Sequence, residues 1–140
     1  SDHDDDNYPN KINLDFNVEQ PNKVWASDIT YIWTSEGWLY LAIIMDLFSR
    51  KIVAWHMAQN LSKELTKTAL ERALTFRNPS DKLVHHSDRG AQYTSKDYIS
   101  LLVENDIQNS MSRKGDCYDN ACVESFFCDF KERVRLPKKV

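Results

Sequence analysis

The sequence of 140 residues predicts an α/β fold, in which a mixed β-sheet carries helices on its faces. Two observations lead to this prediction. Three segments rich in β-branched and aromatic residues follow one another with short turns between them, which is typical of an antiparallel meander. Strand-like segments then alternate with segments that have the apolar spacing of helices. A meander followed by strand–helix alternation indicates a mixed sheet with flanking helices.

The meander comprises the strands predicted at Val24–Trp33, Trp38–Met45 and Lys51–Met57. Between the first two strands, Thr34–Gly37 has the length of a hairpin turn. Apolar residues scarcely alternate with polar ones in the second strand, as expected for a strand that is covered on both faces.

The rest of the chain is predicted to alternate between helices and short strands. Ser62 can cap the first helix, and Asn78–Pro79 stops it. Thr94–Asp97 resembles a capping box and opens the next helix, which carries Tyr98, Leu101 and Leu102 and extends to Ile107. The predicted elements are, in order, a helix over Ser62–Phe76, a strand over Lys82–Ser87, the helix after Thr94–Asp97, a strand over Ile107–Met111 and a helix from Asp119 to about Arg135.

Charge is distributed unevenly along the chain. The formal net charge of −3 argues against nucleic acid as a partner, but four of the 21 acids lie within the first seven residues. The last ten residues carry one acid, Glu132, and five bases, namely Lys131, Arg133, Arg135, Lys138 and Lys139. A local basic surface is therefore compatible with the composition, although composition alone does not indicate DNA.

Secretion and membrane insertion are not indicated. No apolar run approaches the roughly 18 residues that cross a bilayer, and the acidic start differs from a basic secretory leader. Cys117, Cys122 and Cys128 are odd in number and lack the close pair of a zinc ribbon, so reduced structural thiols are expected. The expected compartment is the cytoplasm.

Two aspartates stand out in strand contexts. Asp28 interrupts a strand that otherwise has the composition of a buried one, where a carboxylate needs a compensating cation. A salt bridge or a water-facing edge position is the alternative explanation. Asp88 follows the strand that ends at Ser87, and the ends of such strands are where these sheets bind ligands. The alternative for Asp88 is a turn residue that bonds its own backbone.

Glu124 lies on the predicted last helix, beside its apolar stripe. On a helical wheel Glu124 and Lys131 fall within about 20° of each other, and the alternative is a solvated face with charge pairs. The stripe consists of Val123, Phe126, Phe127, Phe130 and Val134. Taken together, Asp28, Asp88 and Glu124 form a plausible oxygen-ligand set for hard divalent cations such as Mg²⁺, which act on phosphodiesters.

Three motifs in register resemble the integrase catalytic core of bacterial insertion-sequence transposases, in the retroviral-integrase-like superfamily. The motifs are Pro21–Ile32, His85–Ser95 and Ser110–Phe127, and 35 residues separate Asp88 from Glu124 as in the Asp-Asp-35-Glu signature. The resemblance implies a ribonuclease-H-like fold with strand order 3-2-1-4-5. It also implies catalysis by Asp28, Asp88 and Glu124 with Mg²⁺ or Mn²⁺, two ions per site when DNA is bound. Water first frees a 3′-hydroxyl, which then attacks a second phosphodiester.

The resemblance further implies contacts with double-stranded DNA and a homodimer or higher oligomer in the active complex. Lys131 stands where the family carries a DNA-contacting base, and Arg113, Lys114 and Asn120 are expected to contact phosphates or bases. Family members are about twice as long, so a fragment is expected, with an arm at 1–20, a core at 21–136 and a basic tail at 137–140. Two alternatives stay open: a simple ribonuclease-H-like nuclease, and a non-catalytic DNA-binding or dimerisation module.

Other conspicuous residues have structural interpretations. Asp46 is expected to cap the turn towards Ser49 rather than to bind metal. One of His85 and His86 can brace the acids by a hydrogen bond, but a core histidine is an equally good interpretation. The tryptophans are expected in core or hairpin packing rather than in base stacking: Trp25, Trp33, Trp38 and Trp55.

Overall fold

The computed structural model describes residues 18–79, 82–88 and 90–111. In this part of the chain five strands form one sheet in the order β3-β2-β1-β4-β5, which confirms the predicted order. The strands are β1 (Val24–Thr34), β2 (Gly37–Asp46), β3 (Lys51–Ala58), β4 (Val84–Ser87) and β5 (Gln108–Met111), and the helices are α1 (Lys63–Arg77), α2 (Ala91–Thr94) and α3 (Lys96–Glu104).

The sheet is mixed, as predicted. β1, β2 and β3 pair antiparallel, whereas β4 pairs parallel with both β1 and β5. The β1–β2 hairpin closes at the pair Thr34↔Gly37, where the hydroxyl of Thr34 donates to the Gly37 carbonyl at 2.7 Å. Gly37 has a φ of +112°, which an L side chain rarely adopts, so the turn depends on glycine at this position.

Neighbouring residues of β1 are buried on opposite faces of the sheet. Trp25 belongs to a cluster with Leu65 of α1 and Leu102 of α3, and this is the face that the helices cover. Ala26 belongs to a second cluster with Ile43 and other residues of β2. Because side chains alternate along a strand, the central strands are apolar on both faces, which explains the weak alternation in β2.

The predicted first helix is confirmed as α1, but its capping differs. Ser62 occupies the N-cap position without a side-chain hydrogen bond to the helix. At the other end Asn78 adopts the left-handed conformation and donates its backbone N–H to the Leu74 carbonyl. Asn78 therefore ends the helix through its backbone conformation, before Pro79.

The predicted capping box at Thr94–Asp97 is wrong. Thr94 ends a short helix, α2, that the sequence did not predict, and the N-cap of α3 is Ser95, whose hydroxyl accepts from the Tyr98 backbone N–H at 3.3 Å. Asp97 forms an ion pair with Lys63 at 3.0 Å and so does not complete a box. Since α3 ends at Glu104, Ile107 lies beyond the helix, contrary to prediction.

The four tryptophans have different environments. Trp25 is fully buried in the core, as expected. Trp33 and Trp38 pack edge-to-face with ring centroids 4.8 Å apart, so hairpin packing is confirmed, although about half of each side chain stays exposed. Trp55 is 50% exposed on the edge strand β3, so the core option of the expectation does not apply to it.

The structure does not test two further predictions. The predicted helix from Asp119 to about Arg135 lies outside the described residues. The division of the chain into an arm, a core and a tail, with boundaries at 20/21 and 136/137, stays a prediction. Among the described residues, no helix is long and apolar enough to cross a membrane.

Candidate active site

Two neighbouring parallel strands bring Asp28 and Asp88 to the same level of the sheet. The pairing of β1 with β4 runs from Val24↔Val84 to Ala26↔His86. Asp28 and Asp88 each lie two residues beyond this last pair. Adjacent strands are about 4.8 Å apart, so this register sets the two backbones side by side at the carboxyl end of β4.

Both aspartates line one cavity of about 330 Å³. It lies where β1 continues past the end of β4. Its wall combines the two acids with aromatic, apolar and amide side chains, namely Ile29, Thr30, Tyr31, Tyr40, Leu61, Gly90, Ala91, Gln92 and Tyr93. A concave site with a few converging polar groups is where ligand binding is expected.

Asp28 is almost entirely buried, with 4% of its surface exposed. Its Oδ1 accepts the backbone N–H of Ile29 at 2.9 Å. Across the β1–β2 ladder it pairs with Ile43, a buried residue of the second core cluster. Asp28 therefore does not occupy the water-facing edge position that was one alternative for it.

Asp88 is held by the turn that follows β4. Its Oδ1 accepts the backbone N–H of Gly90 at 2.7 Å, which is the turn contact that was the alternative for Asp88, and Asp88 also lines the cavity. A Cβ atom on Gly90 would lie 2.9 Å from that same Oδ1. Real Cβ atoms essentially never show so short a contact, so glycine leaves room for the carboxylate in this orientation.

His85 braces the strand next to Asp28. Its Nε2 lies 2.7 Å from the hydroxyl of Ser27 and 2.7 Å from that of Tyr98. Burial and the neighbouring His86 lower the pKa of His85 to about 3, and burial raises the pKa of Tyr98. A neutral imidazole therefore links β1, β4 and α3 at neutral pH.

His86 links β4 to β5, its neighbour on the side away from β1. Its Nδ1 lies 2.8 Å from the hydroxyl of Ser110 on β5, and burial lowers its pKa to about 4. Both histidines are thus core residues, the second of the two interpretations of the sequence. The contacts described here link them to serine and tyrosine hydroxyls of neighbouring elements.

Asp46 is a third buried carboxylate, and its contacts are structural. Its Oδ1 accepts the Phe48 backbone N–H at 2.9 Å. Its Oδ2 accepts the Asn22 backbone N–H and the Arg77 guanidinium, both at 3.0 Å. The predicted turn cap is confirmed, although the bond goes to Phe48 rather than Ser49.

The strand order and the two acids at one cavity agree with the resemblance of the three sequence motifs to an integrase core. A family model described as the integrase core domain matches residues 18–117. The chain belongs to the integrase core domain family.

Two curated relatives of this integrase core come from bacteria. It is 48% identical over 122 residues to the transposase InsF for insertion sequence IS3A of Escherichia coli strain K12, which covers 87% of this chain and 42% of the relative. It is also 48% identical over 123 residues to the insertion element IS600 uncharacterized 31 kDa protein of Shigella sonnei, with coverage of 88% and 45%. The chain thus spans less than half the length of these relatives.

Solved structures confirm the fold. The integrase core matches the simian T-cell lymphotropic virus intasome in complex with PP2A regulatory subunit B56 gamma at a TM-score of 0.66 and 17% identity, over 84% of this chain and 44% of that one. The HTLV-2 integrase catalytic core domain in complex with magnesium, in its dimeric form, matches at a TM-score of 0.62 and 18% sequence identity. The match covers 81% of this chain and 70% of that one. The predicted ribonuclease-H-like fold is therefore confirmed.

Several predicted site residues lie outside the described part of the integrase core: Glu124, Lys131, Arg113, Lys114 and Asn120, as do Cys117, Cys122 and Cys128. Among residues 18–79, 82–88 and 90–111, no three histidine, cysteine or acidic side chains are grouped as a metal site. The structure brings together Asp28 and Asp88, and the role of Glu124 stays a prediction.

Sequence reasoning missed the aromatic and polar wall of the cavity. Tyr31 and Tyr40 form a directly opposed pair across the hairpin, and both line the cavity with the acids. Gln92 reaches the cavity from α2. The alternation of β1 could have indicated Tyr31, but α2 has only four residues and gives no helical period to detect.

Proposed function

We propose that the chain is the catalytic core of an insertion-sequence transposase, which cuts DNA phosphodiesters and transfers the resulting strand end to a new site. The single observation that carries this proposal is the convergence of Asp28 and Asp88 on one cavity wall. Family membership supports the reaction class, and the bacterial relatives support the substrate. We assign the action to chromosomal or plasmid DNA in the bacterial cytoplasm.

Glu124 is the proposed third carboxylate. Asp28 lies on the sheet face of Ala26 and Ile43, which is opposite to the face covered by α1 and α3. The apolar stripe of the helix predicted from Asp119 has the character needed to pack on that second face. Since Glu124 borders the stripe, such packing would bring its carboxylate towards Asp28.

The two described acids fit a divalent metal ion by their chemistry. Carboxylate oxygens are the ligands that Mg²⁺ and Mn²⁺ prefer, and one solved neighbour is described as a complex with magnesium. Asp28, Asp88 and Glu124 would hold the metal. When bound, two such ions would activate the attacking oxygen and stabilise the leaving oxygen at phosphorus.

The protein itself contributes fixed positions. Asp28 is set by the central strand β1, where it pairs with Ile43 of β2, and Asp88 is set by the Gly90 backbone N–H at 2.7 Å. The Ser27–His85–Tyr98 contacts fix the strands behind them. Catalytic geometry depends on such rigidity, because a misplacement of about 1 Å can cost a hundredfold in rate.

DNA contacts and assembly complete the proposal. Lys131 is proposed to contact a phosphate, and Arg113, Lys114 and Asn120 to contact phosphates or bases of the double-stranded substrate. The active complex is proposed to be a homodimer or a higher oligomer. Solved neighbours of the fold are described in dimeric and trimeric forms, which supports an assembly.

The test is a strand-transfer assay with the full-length protein, a labelled duplex with a free 3′-hydroxyl, a target plasmid and Mg²⁺ or Mn²⁺. The expected result is joining that EDTA stops. Asp28→Asn, Asp88→Asn and Glu124→Gln should each nearly abolish it. Joining that persists in any one variant would remove that residue from the mechanism.

The two alternatives give different outcomes in the same assay. A simple ribonuclease-H-like nuclease would cut RNA–DNA hybrids and would join no 3′-end to the plasmid. A non-catalytic module would bind DNA and show no metal-dependent product. Either result would overturn the transposase proposal.

A further inference from the structure

We infer that the aromatic half of the acid cavity is a binding subsite for an unstacked nucleobase of the DNA strand being cut. This inference rests on the proposed function and adds a specific subsite to it. Asp28 and Asp88, through the metal that they would hold, would place the scissile phosphate at one end of the cavity. Tyr31 and Tyr40 would contact the base of a nearby nucleotide at the other end.

The cavity has an apolar, aromatic part beside its acids. Tyr31, Tyr40, Leu61 and Tyr93 line it together with the backbone turn at Gly90. Hydrated metal and phosphate need no aromatic wall, whereas the flat face of a base does. The volume of about 330 Å³ lies at the lower end of the usual range for small-molecule sites, which suits one base rather than a duplex.

The aromatic surface continues outward along the hairpin. Tyr31 is 41% exposed and meets Trp38 edge-to-face with centroids 5.1 Å apart, and Trp38 in turn meets Trp33 at 4.8 Å. Trp33 and Trp38 are 53% and 52% exposed. Aromatic side chains bind single strands because every base has a π-face to stack on them.

The reach from acid to ring matches a few nucleotides. Tyr31 follows Asp28 by three strand residues, which is about 10 Å. An unstacked strand spans this distance in a few nucleotides at most. A base that stacks at Tyr31 therefore belongs to the strand whose phosphate is at the acids, within a few nucleotides of the reacting bond.

The wall also holds a buried polar atom that can serve a base edge or a sugar. The Gln92 carbonyl oxygen has no hydrogen-bond partner among residues 18–79, 82–88 and 90–111. The Gln92 amide nitrogen donates to the Leu61 carbonyl at 3.2 Å, which orients the amide. A buried polar group without a partner is costly, and a bound nucleotide would supply one.

The aromatic residues and the acids line one continuous cavity, which favours DNA over a second copy of the chain as the occupant. A protein partner on the hairpin would have to enter the same cavity that receives the phosphate, since Tyr31 and Tyr40 line it together with Asp28. A DNA strand satisfies both parts of the cavity at once.

The experiment measures whether the contribution of Tyr31 to binding affinity requires a base on the DNA strand. The full-length protein is titrated, with Mg²⁺ present, against a short single-stranded oligothymidylate and against an abasic strand of the same length and phosphate number. Tyr31→Leu keeps an apolar side chain and removes the flat ring, whereas Tyr31→Phe keeps the ring. Trp55→Leu is the matched control, because Trp55 is about as exposed as Tyr31 but lines a separate cavity with Leu41 and Ile43.

The expected result is that Tyr31→Leu weakens oligothymidylate binding by about 5- to 150-fold, the range for loss of one stacked base. It should change abasic binding by less than about twofold, while Tyr31→Phe and Trp55→Leu should leave both affinities near wild type. Equal losses for the two strands, or no loss, would overturn the subsite. A lowered sedimentation coefficient of Tyr31→Leu in the absence of DNA would overturn it in favour of a second copy.

Cleavage of duplex DNA by the same wild-type preparation distinguishes failure of the subsite from failure of the proposed function. If the wild type cuts DNA but shows no Tyr31-dependent preference for bases, the subsite is wrong and the proposed function stands. If it neither binds nor cuts DNA with Mg²⁺ or Mn²⁺, the proposed function fails and the subsite fails with it.

Discussion

Two buried aspartates of the β1–β2 pair have opposite surroundings. Asp46 is fully buried, and its carboxylate accepts from Asn22, Phe48 and Arg77, which ties the sheet to the end of α1. Asp28 is 4% exposed and lies on the wall of a cavity that Asp88 also lines. One carboxylate accepts from donors of three segments, and the other shares a cavity with a second acid.

The difference shows how similar burial can serve different purposes. A carboxylate next to Arg77 and two backbone N–H groups has its charge balanced within the fold, so its removal should affect stability. A carboxylate that shares a cavity with another acid is proposed to hold a cation, so its removal should affect activity. Burial alone does not separate the two roles, and the identity of the neighbours does.

The largest expected effect is the loss of catalysis when Asp28 is changed to Asn. Strand transfer should fall by more than about 100-fold, because electrostatic stabilisation of the reacting group is usually the largest single contribution to catalysis. The free energy of unfolding should fall by less than about 1 kcal/mol, since the amide oxygen can still accept the Ile29 N–H. Urea denaturation and strand-transfer rates measure the two quantities. A well-folded variant with normal rates would contradict the account.

Asp46→Asn should show the converse behaviour. The free energy of unfolding should fall by about 3 kcal/mol, because Arg77 would lose its charged partner in a part-buried position. The folded fraction should retain a normal rate of strand transfer. Denaturant titration gives the stability, and a rate loss beyond the unfolded fraction would mean that Asp46 also belongs to the active site.

Gly90→Ala should reduce activity without unfolding the chain. The new Cβ would lie 2.9 Å from Asp88 Oδ1, so the carboxylate would have to rotate away from its present position. A displacement of this kind costs about 10- to 100-fold in rate. Since the backbone at Gly90 has an ordinary φ of −62°, stability should change little. Unchanged kinetics would show that the orientation of Asp88 is not important.

The buried histidines should make stability fall in mild acid. Their pKa values in the fold are about 3 and 4, below the usual 6.5, so their contribution is complete above pH 6.5 and is lost as pH falls towards 4. Each adds up to about 1.4 kcal/mol per pH unit in that window. His85→Gln with His86→Asn should flatten this dependence in denaturation series from pH 7 to about 4. If the free energy of unfolding of this variant changed with pH as steeply as that of the wild type, the two histidines would not be buried in their neutral form.

The smallest expected effect concerns Lys131, which lies outside the described residues. Lys131→Ala should weaken DNA binding and reduce the slope of log affinity against log salt by about one unit, as expected for one lost phosphate contact. Binding titrations at several salt concentrations measure this slope. An unchanged slope would return Lys131 to a solvated helix face.

Much of the fold could be predicted because it depends on local pattern. The long strands β1 and β2 carry enough β-branched and aromatic residues to be recognised, and α1 has a clear helical period. Short elements were harder: α2 has four residues, and the cap of α3 is one residue later than Thr94–Asp97 suggested. In such elements tertiary contacts, such as the Lys63–Asp97 pair, decide which side chain caps the helix.

The candidate site was predictable only in part. Asp28 and Asp88 were recognisable as acids in unusual positions, but their meeting depends on the parallel β1–β4 register, which no local pattern specifies. The cavity wall at Tyr40, Leu61 and Gln92 comes from three separate segments. Residues that meet through tertiary structure alone leave no periodic signal in the sequence.

The most direct test of the central claim is a crystal structure of the chain soaked with Mn²⁺. Anomalous density is expected in the cavity, with carboxylate oxygens of Asp28, Asp88 and Glu124 about 2.1 Å from the metal. A metal held elsewhere, or a Glu124 carboxylate on a different face from the two aspartates, would contradict the central claim.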